Sequence, residues 1–488
     1  MPDLTAAGRL LRIAVALVLI LGSVAVLEGA RRGVEIRTLT VGETPVSAYA
    51  LAGAEGPVVV VAHGFAGSRQ MMQGYALPLA WAGYRVFSFD FLGHGRHPLP
   101  MSGDVTAVEG TTRLLMAQTD AVIDAVSDGR APVALLGHSM ATDVLARVAA
   151  ERDDIGPVVL ISAFSQAITS QSPRDLLMIT GAWEPGLRDA ALRAARLVAP
   201  DAQEDETVTA GPVVRRAEVA PLADHVSILQ NRDARAAAVD WIDRAYGRGA
   251  GTTLWPTGWA ILGLFGGLVL IFGGMARSLP ADEPASGRLS WRQVAVATVL
   301  PAVLAPLVAV PLNPNLLPVL VADYLALHLA LFGLLQLALI WRWRLPVGRV
   351  SIAALLLVLG WCCLFGFALD RYVANFWPTA GRFWIVAAMA LGAVPFMVAD
   401  AVLTLRARIA QRLVLRAGFL VSLGVAVALD FSGLFFLLMI APVVLVFYLV
   451  FGTVGRASAV RAGPLASGLA LGLVLAWALG VSFPLFAP

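Results

Sequence analysis

The sequence predicts two fold classes in one chain: an α/β domain with a mainly parallel, eight-stranded sheet over residues 31–251, and an all-α transmembrane domain of about eight helices over residues 252–488. A membrane anchor over residues 1–30 precedes both. Three observations predict this. Of 488 residues, 58% are hydrophobic and only 14% charged, a balance foreign to soluble domains. The apolar excess is concentrated after about Leu254, where apolar runs alternate with short arginine-bearing loops. Between Arg31 and Gly251, strand-like runs alternate with amphipathic stretches, as in a globular protein.

At the N-terminus, Arg9 and Arg12 precede the apolar run Ile13 to Leu27. As a helix it reaches about 22 Å, short of the ~30 Å bilayer core unless flanking residues join it. That length also suits the apolar region of a cleaved signal peptide. However, Leu27-Glu28-Gly29-Ala30 places a glutamate where cleavage wants a small residue, so an uncleaved anchor is expected.

The strand-like runs are, in order, "RTLTV", "VSAYAL", "VVVVAHG", "YRVFSFD", "VALLGHS", "VVLIS", "LLMITG" and "VVRRAEV". Amphipathic segments such as Ala107 to Val126 lie between the later ones. Such alternation predicts a sheet covered on both faces, with functional residues at the carboxyl ends of its strands.

Eight apolar spans follow, at about 254–276, 294–312, 317–340, 352–369, 384–405, 415–429, 432–451 and 465–486. Arg416 to Arg456 is twice the length one span needs, and Asp430 near its middle marks a hairpin turn. With the N-terminus inside, the inside loops hold Arg9, Arg12 and twelve further arginines from Arg277 to Arg461, whereas the short outside loops hold only Arg371 and Arg382. The positive-inside rule then places the α/β domain outside the cytoplasm, and the expected location is a bacterial cytoplasmic membrane. Trp255, Trp259, Trp291, Trp341, Trp343, Trp377 and Trp384 fall near span ends, as an interfacial belt requires.

The net charge of +3 is too small to argue for nucleic acid. The only two cysteines, Cys362 and Cys363, are adjacent within an apolar run, which excludes a disulfide framework or a cysteine-based zinc site.

In "PVALLGHSMATDVLARVA" a strand runs through Gly-His-Ser straight into a helix, which holds the Ser139 hydroxyl on a sharp corner clear of the sheet. A serine needs a base to act as a nucleophile, usually an imidazole held by a carboxylate. In the order serine, acid, histidine, only His225 and His328 come late enough, and His328 lies in a membrane span. His225 is therefore the candidate base. "LLMITGAWEPG" places Glu184 at the mouth of the preceding strand, in preference to Asp189 on the next helix. Two backbone N–H groups can hold a developing oxyanion: that of Met140, beside the nucleophile, and that of Phe65, after "AHG".

Together these motifs resemble the α/β-hydrolase superfamily, in its serine esterase, lipase and aminopeptidase-like branch. "HGFAGS" is similar to its oxyanion loop, "FDFLGHGRH" to the turn after its fourth strand, "GHSMA" to its nucleophile elbow, "GAWE" to its acid turn and "DHVSIL" to its histidine loop. "GHSMA" departs from Gly-x-Ser-x-Gly only at Ala141, which is small enough for close strand–helix packing. The resemblance covers residues 36–246 and implies a serine hydrolase of esterase or lipase type, with a peptidase not excluded. Many members carry a lid between the sixth strand and the acid-bearing strand. Here only about ten residues, Phe164 to Arg174, separate the two, so a bare site or one covered by the membrane surface is expected.

The expected partners are the lipid bilayer and an apolar acyl or ester substrate, with no nucleic acid, no metal and no organic cofactor. His94 and His97 read as part of a turn rather than a metal pair, His138 as a packing and hydrogen-bonding residue, His63 as a loop brace, and Asp201 to Glu206 as a solvated loop. Asp323, His328, Asp400 and Asp430 are costly in lipid and keep a second reading open, a transporter or membrane regulatory protein with an accessory hydrolase-like domain. Asp400 and Asp430 also suit span ends or helix caps.

Overall fold

The computed structural model describes residues 6–104, 108–249, 251–281, 288–314 and 316–487, so Ala107, the expected start of an amphipathic helix, lies outside the described residues. The chain divides into two compact units. One takes in Gly22–Gly263, Leu369–Trp377 and Pro484–Pro488; the other takes in Met1–Leu21, Leu264–Ala368 and Pro378–Phe483.

The first unit is built on strands β1 (Val34–Val41), β2 (Thr44–Leu51), β3 (Val58–Ala62), β4 (Arg85–Phe89), β5 (Val133–His138), β6 (Ile155–Ile161), β7 (Asp175–Gly181), β8 (Thr207–Ala210) and β9 (Val213–Ala220). They form one sheet in the order β1-β2-β4-β3-β5-β6-β7-β9-β8. From β4 to β9 neighbours are parallel, while β1, β2 and β8 pair antiparallel at the edges. The sheet thus has nine strands where the sequence predicts eight. The extra strand, β8, is "TVTA": four residues, three of them exposed, with no apolar alternation to mark it. Gly211, at φ 56°, turns it back onto β9, pairing Ala210 with Val213.

The central strands are apolar throughout because both of their faces are covered. On β3, Val59 and Val61 pack with Leu136, Val159 and side chains of α2 (Gln73–Trp81) and α6 (Arg232–Ala245), including Tyr75 and Ile242. Val58 and Val60 point the other way, into a second core with Leu135 and side chains of α3 (Arg113–Val126), α4 (Met140–Glu151) and α5 (Pro185–Arg196), including Ile123, Leu145 and Ala195. The period-two alternation of a strand thereby feeds two cores from one run of valines. Residues 162–174, between β6 and β7, contain no helix.

Among the described residues nine helices are long and apolar enough to cross a membrane. The first, α1 (Ala6–Arg31), has 26 residues and reaches about 39 Å, so flanking residues extend the short apolar run to bilayer length. The others are α7 (Thr257–Met275, continued to Ser278), α8 (Trp291–Leu312), α9 (Ala322–Arg342), α10 (Ile352–Tyr372), α11 (Arg382–Leu405), α12 (Ile409–Leu429), then, after the short α13 (Phe431–Leu434), α14 (Leu437–Ala462) and α15 (Pro464–Ser482). These nine helices suggest a multi-pass membrane protein.

In the second unit, glycines set the helix packing. Cβ atoms added at Gly333 and Gly392 would press into the backbone of the facing helix at the α9–α11 contact, and the same holds for Gly468, Gly472 and Gly480 where α15 meets α11. Small residues let helices approach when apolar surface gains nothing by leaving lipid. Asp430 accepts from Gly433 N–H (3.0 Å) and caps α13 at the turn. Asp400 lies near the end of α11, five residues before Leu405, where it is buried and paired with Arg416 of α12 (3.1 and 2.8 Å). Only such a pairing makes a buried carboxylate tolerable. Asp323 lies in the first turn of α9, which starts later than the sequence suggests, and accepts from Leu317 N–H (2.9 Å). His328 is fully buried between Tyr324 and Ser422 (2.9 Å each).

Candidate active site

The site is assembled at the carboxyl ends of the parallel strands. β5 ends at His138 and α4 begins at Met140, leaving one residue, Ser139, to make the corner. Its backbone is forced to φ 55°, ψ −119°. Small residues make the corner possible: a Cβ at Gly137 would stand 2.6 Å from Leu145 Cδ1 and 3.2 Å from Ala141 Cβ. Ala141 is fully buried, so the side chain standing for the second glycine is accommodated against the strand.

The turn after β7 carries Glu184 and the segment between β9 and α6 carries His225, and the structure brings both to Ser139. The Ser139 hydroxyl lies 2.8 Å from His225 Nε2, and His225 Nδ1 lies 2.6 Å from Glu184 Oε1. Glu184 Oε2 accepts from the Gly181 N–H (2.8 Å) and the Ser162 hydroxyl (2.7 Å). Burial alone would raise the Glu184 carboxyl, but the hydrogen bonds from His225, Gly181 and Ser162 together hold it below its ordinary value. An ionised Glu184 keeps the proton of the imidazole on Nδ1 and leaves Nε2 as an acceptor facing Ser139. Asp189 lies on α5, outside this relay.

Phe65 follows β3. The Phe91 N–H donates to His63 Nε2 (3.1 Å), so the His63 proton sits on Nδ1 and is donated to the Gly64 carbonyl (2.8 Å). Gly67 N–H donates to the same carbonyl (3.0 Å). In a trans peptide C=O and N–H point in opposite directions, so fixing the Gly64 carbonyl aims the Phe65 N–H the other way. Gly64 itself abuts the elbow, since a Cβ there would lie 2.9 Å from Ser139 Cβ. Met140 supplies the first N–H of α4, one of the amides a helix leaves without an intrahelical partner.

The family model described as "Serine aminopeptidase, S33" matches residues 54–237, the span that holds Ser139, Glu184 and His225. These residues form an α/β-hydrolase domain. Among solved structures, the chain is similar to a predicted CIB-like hydrolase from Thermoplasma acidophilum (13% identity over 43% of this chain and 98% of that one, TM-score 0.34). It is also similar to an epoxide hydrolase from Vigna radiata (26% identity, 27% of this chain and 40% of that one, TM-score 0.22) and to one from an endophytic Streptomyces (25%, 33% and 43%, TM-score 0.23). The chain thus spans well under half the length of these two epoxide hydrolases. No curated protein matches the chain.

Further residues of the hydrolase domain support the site: His138 as the hydrogen-bonding residue the sequence suggests, and Ser162 and Asp90, which no local pattern marks. Ser162 braces the acid. His138 donates from Nε2 to the His225 carbonyl (2.8 Å) and so fixes the histidine loop; burial, and His225 beside it, push its own pKa down to about 4. Asp90, fully buried, ties the loop after β3 to the turn after β4: it accepts from the N–H groups of Arg69 (2.8 Å) and Arg96 (3.0 Å) and pairs with the Arg69 guanidinium. His97 contacts Thr44, and His94 lies 2.8 Å from the Leu92 carbonyl through Nδ1. Ala66, Ser139, Ser162 and Leu222, all on loops of this site, hold left-handed backbone angles (φ 51–56°) that non-glycine residues rarely adopt. Phe164, Trp183, Leu222 and Val226, on the loops that carry Ser162, Glu184 and His225, are each more than 60% exposed.

Proposed function

We propose that the domain is a serine hydrolase that cleaves an ester or related acyl bond. The observation that carries this is the continuous relay from Ser139 through His225 to Glu184, built on a strained strand–helix corner. Ser139 Oγ attacks the acyl carbon while His225 Nε2 takes its proton. Glu184 holds the imidazole in the right tautomer and stabilises the imidazolium. The N–H groups of Phe65 and Met140 receive the charge on the former carbonyl oxygen. His225 then returns the proton to the leaving group, and water repeats the sequence on the acyl-enzyme.

The apolar residues Phe164, Trp183, Leu222 and Val226 favour a substrate with a greasy acyl chain. The fourteen-to-two arginine bias supports a domain facing outside the cytoplasm. Transport by the helices is less favoured, since His328 and Asp323 are each satisfied within the protein.

The test is labelling of the detergent-solubilised protein with a fluorophosphonate. Wild type is expected to label, and Ser139→Ala and His225→Ala to lose the label. A folded wild-type protein that stays unlabelled overturns the reading.

A further inference from the structure

The hydrolase unit is completed by two segments distant in sequence, Leu369–Trp377 after α10 and Pro484–Pro488 after α15. Asp90 ties the loop after β3 to the 91–97 turn at Arg69 and Arg96. Asn375 joins the same two loops a second time, at the neighbouring Ser68 and Gly95 and at Arg96 itself. Its backbone N–H donates to Ser68 Oγ (3.0 Å), its Nδ2 donates to the carbonyls of Gly95 (3.3 Å) and Trp377 (2.8 Å), and its Oδ1 accepts from Arg96 Nε (2.9 Å). Arg96 Nη2 also grips both oxygens of Asp370 (2.6 Å each). Only an amide meets this set, with its oxygen toward the guanidinium and its nitrogen toward two carbonyls.

Ser68 occupies the N-cap position of the short helical turn Arg69–Met72, where a serine normally caps with its side chain. Here it makes no cap hydrogen bond and receives Asn375 instead. The tail is built in just as firmly: Leu485 N–H donates to Gly93 O (2.9 Å), Met101 N–H to Leu485 O (3.0 Å) and Ala487 N–H to Met101 O (2.6 Å). Gly93, at φ 72°, has no room for a Cβ, which would meet Leu485 O at 2.4 Å. The Phe486 ring then lies 6.5 Å from that of Phe65.

We propose that Asn375 and Asp370 are positioning residues of the hydrolase, and that the segment Leu369–Trp377, together with the tail, sets the Phe65 N–H in place. The inference rests on Ser139 as nucleophile and Phe65 N–H as oxyanion donor. An oxyanion donor acts only at the transition state, and a small misplacement is costly there and nearly silent in substrate binding. A brace for that loop should therefore act on kcat and leave KM alone.

The experiment is turnover of p-nitrophenyl butyrate by the full-length protein in detergent, for wild type, Asn375→Ala and Asp370→Asn, with melting temperatures and fluorophosphonate labelling alongside. Asp370→Asn keeps the side-chain shape and guards against a variant that misfolds. The expected result is a kcat reduced by roughly tenfold or more in Asn375→Ala, less in Asp370→Asn, with KM within about twofold and melting nearly unchanged. Wild-type kcat in both variants overturns the brace, and so does a loss of activity that only tracks melting. If wild type labels and Ser139→Ala does not, that failure concerns the brace alone. An unlabelled, folded wild type overturns the brace together with the catalytic reading beneath it.

Discussion

Glu184→Gln is the sharpest test of the relay, because the structure dictates how the new amide must lie. Two donors converge on Oε2, and one of them, the Gly181 N–H at 2.8 Å, cannot reverse its role. The glutamine oxygen must therefore take that position, which turns its NH2 toward His225 Nδ1, now 2.6 Å from Oε1. Facing a donor, the imidazole presents a lone pair at Nδ1 and carries its proton on Nε2, against the Ser139 hydroxyl at 2.8 Å. That tautomer cannot accept the serine proton. The expected loss is about 10⁴-fold in kcat, or about 5 kcal/mol of transition-state stabilisation. The assay is hydrolysis of a p-nitrophenyl ester together with the rate of fluorophosphonate labelling, with melting measured to show that the fold survives. A variant within tenfold of wild type would refute the assignment of Glu184 as the orienting acid.

Other predictions follow from the same geometry. Gly64→Ala should cut turnover by at least about tenfold while the protein still folds, since the added Cβ meets Ser139 Cβ at 2.9 Å and His138 Nδ1 at 3.1 Å; ester hydrolysis per folded molecule checks it. His138 carries a folded pKa of about 4 against an ordinary 6.5, so the unfolded state binds the extra proton between those values. Stability is then complete above about pH 6.5 and falls by about 3 kcal/mol as the pH drops toward 4, a slope that His138→Gln should flatten in melts against pH. Glu184, held below its ordinary value, adds a further loss at lower pH, beginning near the usual carboxylate range and ending below its folded pKa. Asp400→Asn leaves the half-buried Arg416 without its charged partner and should destabilise the helical unit by about 1 to 3 kcal/mol, read as earlier melting in detergent.

The parallel strands were legible in the sequence because their valines and leucines run unbroken to a glycine or a polar turn. The elbow was legible for a related reason: Gly137, Ser139 and Ala141 must be small or exposed wherever a strand turns into a helix in one residue. Edge strand β8 was not, since "TVTA" buries a single side chain and its identity as a strand comes from its partner β9. The pairing of Asp400 with Arg416 could not be read either, because it is made between two helices and neither local pattern announces it. The same holds for Asn375, which bonds to Ser68 across 307 positions; in "DRYVANFWPT" it is indistinguishable from any loop asparagine. Local periodicity marks elements, whereas contacts across hundreds of residues leave no trace in one chain read alone.

The left-handed backbone at Ser139, Ser162, Ala66 and Leu222 has an evolutionary consequence. Each of these positions would be more comfortable as glycine, by about 1 kcal/mol or more, so mutational drift acting on stability alone pulls toward glycine at four places on the loops of one site. A lineage that no longer used the site would be free to make those exchanges and would be sturdier for them. Replacing Ser139 with glycine should accordingly yield a protein that outlasts its parent on heating and, under the proposed mechanism, turns nothing over.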